Sequence, residues 1–167
     1  MSGRPRFEQR EPQVLSGRVY DSVYRGEPAR LDKVRAKLAA ELRERLTLAD
    51  DDRELAEALD RWELSLFSDE PFRSGQLREA IACLLGADGG LWAAAMRTAV
   101  LLADKTNERS DLVAGLNADR LDRLANDAVR RALVEVLVHG ARAELVEALD
   151  ETLLGLRPRP QSVLRVA

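Results

Sequence analysis

Leu31, Val34, Leu38, Leu42 and Leu46 recur at three- and four-residue steps with charged residues between them, which makes one apolar stripe on an amphipathic helix. Pro28 suits a first helical position, so the segment is expected to run from there to Leu48. Asp50, Asp51 and Asp52 then offer an N-cap and favourable charge for the next helix start. In that next helix Leu55, Leu59, Trp62 and Leu66 repeat at helical spacing, and Pro71 closes the unit. Ser74 is placed to cap a third helix carrying Leu77, Ile81, Leu84 and Leu85, ended by Gly86. After the turn Asp88-Gly89-Gly90, the stretch from Leu91 to Asp104 is apolar on nearly every side except at Arg97 and Thr98, the pattern of a helix buried among others. Residues 105–110 read as polar loop and 111–116 as a single turn. Asn117 is a cap for a long helix with Leu121, Leu124, Ala128, Leu133, Val136 and Leu137, stopped by Gly140. A last helix from Ala141 carries Leu145, Leu149 and Leu153 and ends at Gly155. No segment shows the apolar–polar alternation of a sheet. The expected fold class is all-α: about six main helices forming three stacked αα-hairpins, near 28–68, 74–104 and 117–155, in a helical bundle.

A constant offset of 90 relates parts of the first and third hairpins. Arg30-Leu31-Asp32 matches Arg120-Leu121-Asp122, and Glu57-Ala58-Leu59-Asp60 matches Glu147-Ala148-Leu149-Asp150. Glu54-Leu55, Leu64 and Leu66 pair in the same way with Glu144-Leu145, Leu154 and Leu156. With the middle hairpin between them, each unit averages about 45 residues, within the span of HEAT-like repeats. The stretch from Asn126 to Leu133 resembles the turn-into-helix portion of such a repeat. Glu, Leu, Ala and Asp recur on any amphipathic helix, so a plain bundle explains the matches as well, and both architectures stay open.

The length of 167 residues suggests one domain with small appendages. Residues 1–27 carry Pro5, Pro12, Gly3, Gly17 and Gly26 and read as an extended N-terminal arm. Val19 to Tyr24 is an island in it, suited to a short helix or turn that packs on the body. Residues 28–156 form the single helical domain. In 157–167, Pro158 and Pro160 forbid a helix and leave an extended C-terminal tail.

Charge sharpens this division. The net −3 splits into +2 over residues 1–30, +3 over residues 157–167 and −8 over the body between them. An acidic body repels a phosphate backbone, so nucleic acid would meet the arms or a local face. Of 26 basic residues, only Lys33, Lys37 and Lys105 are lysine. A GC-rich bacterial coding bias explains that preference; selection for bidentate phosphate or carboxylate contacts is the alternative. The one cysteine, Cys83, excludes an internal disulfide and a CxxC metal site, and the start offers no apolar leader core. Apolar runs such as Leu91 to Met96 are far too short to span a bilayer. The expected setting is cytoplasmic and away from membranes.

Candidate chemistry is sparse. His139, the only histidine, ends a helix before Gly140, where an imidazolium complements the helix dipole. With one Cys and one His, zinc is not expected, and no Ser–His–Asp set or phosphate-cradling glycine loop can be assembled. Cys83 lies on an apolar stretch and reads as a buried, inert thiol. The aspartates at 50–52 read as caps, because they lack the loop of an EF-hand. Trp62 and Trp92 fall on apolar stripes and are expected in the core; Phe67 and Phe72 are candidate surface anchors. No catalytic residue, cofactor or metal site is expected, and the chain reads as a non-enzyme.

The function expected from these observations is protein–protein interaction: an adaptor, assembly factor, regulator or structural subunit of a larger complex that engages a partner, or itself, through its arms. Candidate partner-binding residues are Arg157, Arg159, Val163, Leu164 and Val166 in the tail and Tyr20 and Tyr24 in the arm. The alternative is a small helical subunit of a nucleic-acid-binding complex or a DNA-binding regulator, with Arg120, Arg123, Arg130 and Arg131 on phosphates. Asp119, Asp122 and Asp127 interleave with those arginines and favour local ion pairs instead. A pocket for an apolar ligand beside the 91–103 helix is a third possibility.

Overall fold

Seven α-helices and two short 3-10 turns make up residues 33–162, the span that the computed structural model describes; no strand occurs among the described residues. The candidate contacts Tyr20 and Tyr24, and Val163, Leu164 and Val166, lie outside that span. The helices are α1 (Lys33–Arg45), α2 (Arg53–Leu66), α3 (Phe72–Leu85), α4 (Gly90–Leu102), α5 (Thr106–Asn117), α6 (Arg123–His139) and α7 (Arg142–Leu153). The all-α expectation holds, with one helix more than the six expected. The added element is α5, where the sequence pattern pointed to a polar loop and a single turn. Its residues are largely polar and exposed, and only Leu112 and Leu116 are buried, so a short apolar contact holds a helix whose periodicity is faint.

Helix starts follow cap chemistry. Asp52 accepts from the backbone N–H of Leu55 at 3.0 Å and opens α2, as its place in the aspartate run suggested. Asp122, rather than Asn117, opens α6, accepting from the Ala125 N–H at 2.8 Å. Asn117 ends α5 instead, donating its side-chain amide to the Val113 carbonyl at 2.8 Å. Ser74 is not a cap either. It sits in the first turn of α3, fully buried, donating to Glu70 Oε2 at 2.6 Å and accepting from the Leu121 N–H at 2.9 Å.

The core gathers around α4, which packs against α3, α5, α6 and α7. Ile81, Leu84, Leu101, Leu116, Val129 and Leu149 are fully buried there. Each such side chain stabilises the fold by about 1.5–3 kcal/mol relative to exposure. Trp92 departs from the expected pattern: it is 62% exposed. It belongs to the first turn of α4, before the buried face begins at Ala94.

The carbonyls at helix C-termini are covered by arginines from distant sequence. Arg97 donates through Nη1 to the Leu85 and Gly86 carbonyls at 2.6 and 2.7 Å, closing the end of α3. Its Nε and Nη2 grip Asp150 at 2.7 and 2.8 Å, although its side chain is only 10% exposed. Arg45 reaches the Leu137 carbonyl at 3.2 Å and the Val138 carbonyl at the end of α6. Arg142 binds Asp52 at 2.8 Å and Glu54 at 3.0 Å, tying the start of α7 to the start of α2. A guanidinium offers five donors in a fixed fork and stays charged, so it suits carbonyls that have lost their helical partners. Gly86 belongs to the same corner: a Cβ there would meet the Ala82 carbonyl oxygen at 2.3 Å.

Beyond α7 the chain stays on the body as far as Ser162. Arg159 pairs with Asp104 at 2.7 Å and also reaches the Ala103 carbonyl. The buried Ser162 hydroxyl bonds Glu135, and Arg157 pairs with Glu151 at 3.3 Å. Pro158 and Pro160 keep this segment out of a helix, and two polar anchors seat it.

Candidate functional site

The C-terminal end of α2, the first turn of α3 and the first two turns of α6 surround an open groove of about 950 Å³. Trp62 and Leu66 come from α2, Arg73 and Leu77 from α3, and Arg123, Leu124 and Arg130 from α6. The junction is held by Ser74: its two hydrogen bonds join the turn before α3 to the segment entering α6. Ser65, also buried, satisfies its hydroxyl by donating to the Trp62 carbonyl at 2.6 Å.

Two of the exposed large apolar side chains line this groove, whereas Trp92, Leu154 and Leu156 do not. Leu66 and Leu124 are both about half exposed although they line the groove. Phe67 and Phe72, the neighbours in sequence of Leu66 and Arg73, are 51% and 74% exposed. Large exposed apolar side chains are unremarkable singly, but a cluster around a concavity marks an interaction surface.

The charges in the groove fall into two sets. Asp127 pairs with Arg130 at 2.6 Å, and Asp122 is engaged in capping α6. The side chains of Arg73 and Arg123 make no hydrogen bond or ion pair within the described residues. Both stand in the first turn of a helix, where the backbone N–H groups already make the potential positive. Neither α3 nor α6 has an acidic residue in that turn, whereas α2, α5 and α7 carry Glu54, Glu108 and Glu144 there. The carboxylates at these two ends come from the residues just before the helices, Asp122 bonded to the Ala125 N–H and Glu70 to the Ser74 hydroxyl, and neither pairs with Arg73 or Arg123.

The sequence-derived candidates separate in space. Arg123 and Arg130 share the groove. Arg131 lies in a different, smaller depression of about 180 Å³, beside Glu108 and Asp111. Arg120 is exposed in the connection between α5 and α6. The four do not form one stripe. In the tail, Arg157 and Arg159 are paired with Glu151 and Asp104 of the same chain. Sequence reasoning missed Arg73, Leu66 and Leu124 as site residues, and it placed the starts of α3 and α6 at Ser74 and Asn117. With the starts at Phe72 and Arg123, the arginines in the first turns become visible as a pattern.

The other reactive groups are elsewhere. Cys83 is half-buried; burial pushes its thiol pKa up, and the nearby carboxylates of Glu57 and Glu79 push it further, away from a nucleophilic thiolate. His139 ends α6 and its Nδ1 lies 3.0 Å from the Ala141 carbonyl oxygen. No group of three or more His, Cys, Asp or Glu side chains that could hold a metal ion occurs among the described residues. No described helix is long and apolar enough to cross a membrane. No family model, curated protein or solved structure matches this chain.

Proposed function

We propose that this chain is a non-enzymatic interaction protein, an adaptor, assembly factor, regulator or structural subunit, that engages a protein partner through the groove between α2, α3 and α6. One observation carries the reading: the exposed Leu66 and Leu124 line a concavity that also holds two arginines unpaired within the described residues. The cytoplasm is the proposed setting, since the single cysteine has no internal partner there to need oxidation. We also read the helices as stacked αα-hairpins, supported within the 74–104 pair by the packing of α3 on α4. A HEAT-like duplication belongs to the same proposal, and the bond between Asp52 and Arg142 joins the two segments related by the offset of 90.

Native purification of the tagged chain from its source, with mass spectrometry and ultraviolet absorbance of the eluate, tests the reading. A protein recovered in fixed ratio to the chain, or a stable homo-oligomer, is expected. A chain recovered alone as a monomer, or with nucleic acid that leaves as salt rises, would overturn it.

A further inference from the structure

We infer that the groove between α2, α3 and α6 receives an amphipathic helix of a partner protein that carries carboxylates beside its apolar anchors. This rests on the interaction reading above and names the chemistry of the partner.

Three features select the occupant. The first is charge. The Arg73 and Arg123 side chains are unpaired within the described residues and both line the groove. Two such cations on one concavity favour carboxylates. The second is shape. Trp62, Leu66, Leu77 and Leu124 give the groove an apolar lining, and Phe67 and Phe72 extend apolar exposure along the chain beyond it. That surface is longer than a small anion can use, and it offers a free phosphate little except two arginines. The third is the backbone. The walls are helices, whose carbonyls and N–H groups are largely bonded along their own axes, so an extended peptide would find no edge to pair with. A helix satisfies its own backbone and presents side chains at i, i+3, i+4 and i+7 to such a groove. A duplex or single-stranded nucleic acid fits poorly, because two arginines unpaired within the described residues support only a weak dependence on salt.

Selection of phage-displayed random peptides, about 16 residues long to allow roughly four helical turns, on the full chain tests this. The chain carries Trp92→Phe, which leaves Trp62 as its tryptophan and makes its fluorescence a reporter of the groove. Selected peptides should carry apolar residues at helical spacing with Asp or Glu beside them, gain helicity on binding, and shift the Trp62 emission. Arg73→Glu with Arg123→Glu should weaken binding by about tenfold or more. Peptides whose carboxylates are replaced by lysine should recover most of that loss. Leu124→Asp should weaken binding by a similar factor, and Arg131→Glu, in the separate depression, should leave it unchanged. All these residues are at least partly exposed, and circular dichroism confirms the fold of each variant. Failure to select any peptide, selection of basic or neutral peptides, or affinity insensitive to the double reversal would overturn the assignment. A native partner that still co-purifies with the Leu124→Asp and double-reversal chains would overturn the groove assignment and leave the interaction reading standing. Recovery of the wild-type chain as a lone monomer would overturn the interaction reading itself.

Discussion

Arg97 and Arg123 are the same residue type on two neighbouring helices of one chain, with opposite circumstances. Arg97 is nearly enclosed and directs its donors to Asp150 and to the carbonyls of Leu85 and Gly86. Arg123 is exposed, unpaired within the described residues and sits where the helix dipole repels it. Arg45, Arg142 and Arg159 belong with Arg97, since all reach carbonyls or carboxylates far away in sequence. Arg73 belongs with Arg123. The arginines of this chain thus include one set that closes helix ends inside the body and another whose side chains are exposed and unpaired within the described residues.

Substitutions should separate the two populations by their effect on stability. Arg97→Ala is expected to be the most damaging, at about 3 kcal/mol, because it leaves Asp150 and two helix-end carbonyls without their donor. Urea unfolding monitored by circular dichroism measures it; a loss under half that size would mean that the end of α3 is closed by solvent as effectively as by Arg97.

Removing residues 157–167 comes next, at about 1–2 kcal/mol, since it deletes the Arg159 and Ser162 anchors while removing none of the described helices. Far-ultraviolet ellipticity should stay constant while the unfolding midpoint falls. An unchanged midpoint would show that the tail is only loosely seated and free for a partner.

Asp52→Asn is expected to cost about 1 kcal/mol at neutral pH, since asparagine keeps the cap and loses the charge opposite Arg142. Burial pushes the Asp52 carboxyl pKa up, but hydrogen bonds from Arg142 and the Leu55 N–H, with the Arg142 charge, outweigh it and hold the group below its ordinary value. A carboxylate lowered in the folded state contributes fully above its ordinary pKa, and that contribution is lost as pH falls through the lowered one. The difference between wild type and variant should therefore shrink to nothing in acid; a difference that persists there would assign the effect to packing.

Arg73→Ala and Arg123→Ala should change stability least, within about 0.5 kcal/mol. Calorimetry of the free chain decides this. A clear destabilisation would mean that these arginines already serve the fold, and would move the groove into the first population.

The helices were legible because their apolar residues follow a period that backbone geometry alone dictates. Leu55, Leu59 and Trp62, and Leu145 and Leu149, lie on the helices their spacing predicts. The α5 helix was not legible, since two buried leucines are too few to set a period against ten other residues. Part of the groove was visible: Arg123 and Arg130 stood among the nucleic-acid candidates, and Phe67 and Phe72 among the surface anchors. The meeting of Arg123 and Arg130 with Trp62, Arg73 and Leu77 depends on α6 returning to the α2–α3 turn, which no local pattern encodes.

By itself the sequence determined an all-helical chain, the rough extent of most of its helices, the aspartate that opens α2 and the glycine that stops α6, because these follow from periodicity and caps within a few residues. The tertiary structure alone decided which arginines are engaged and which are free, that Trp92 is exposed, and that Ser74 is a buried strut between helices. Each of these turns on partners tens of residues away, and whether a side chain is paired or buried is fixed by what is packed against it.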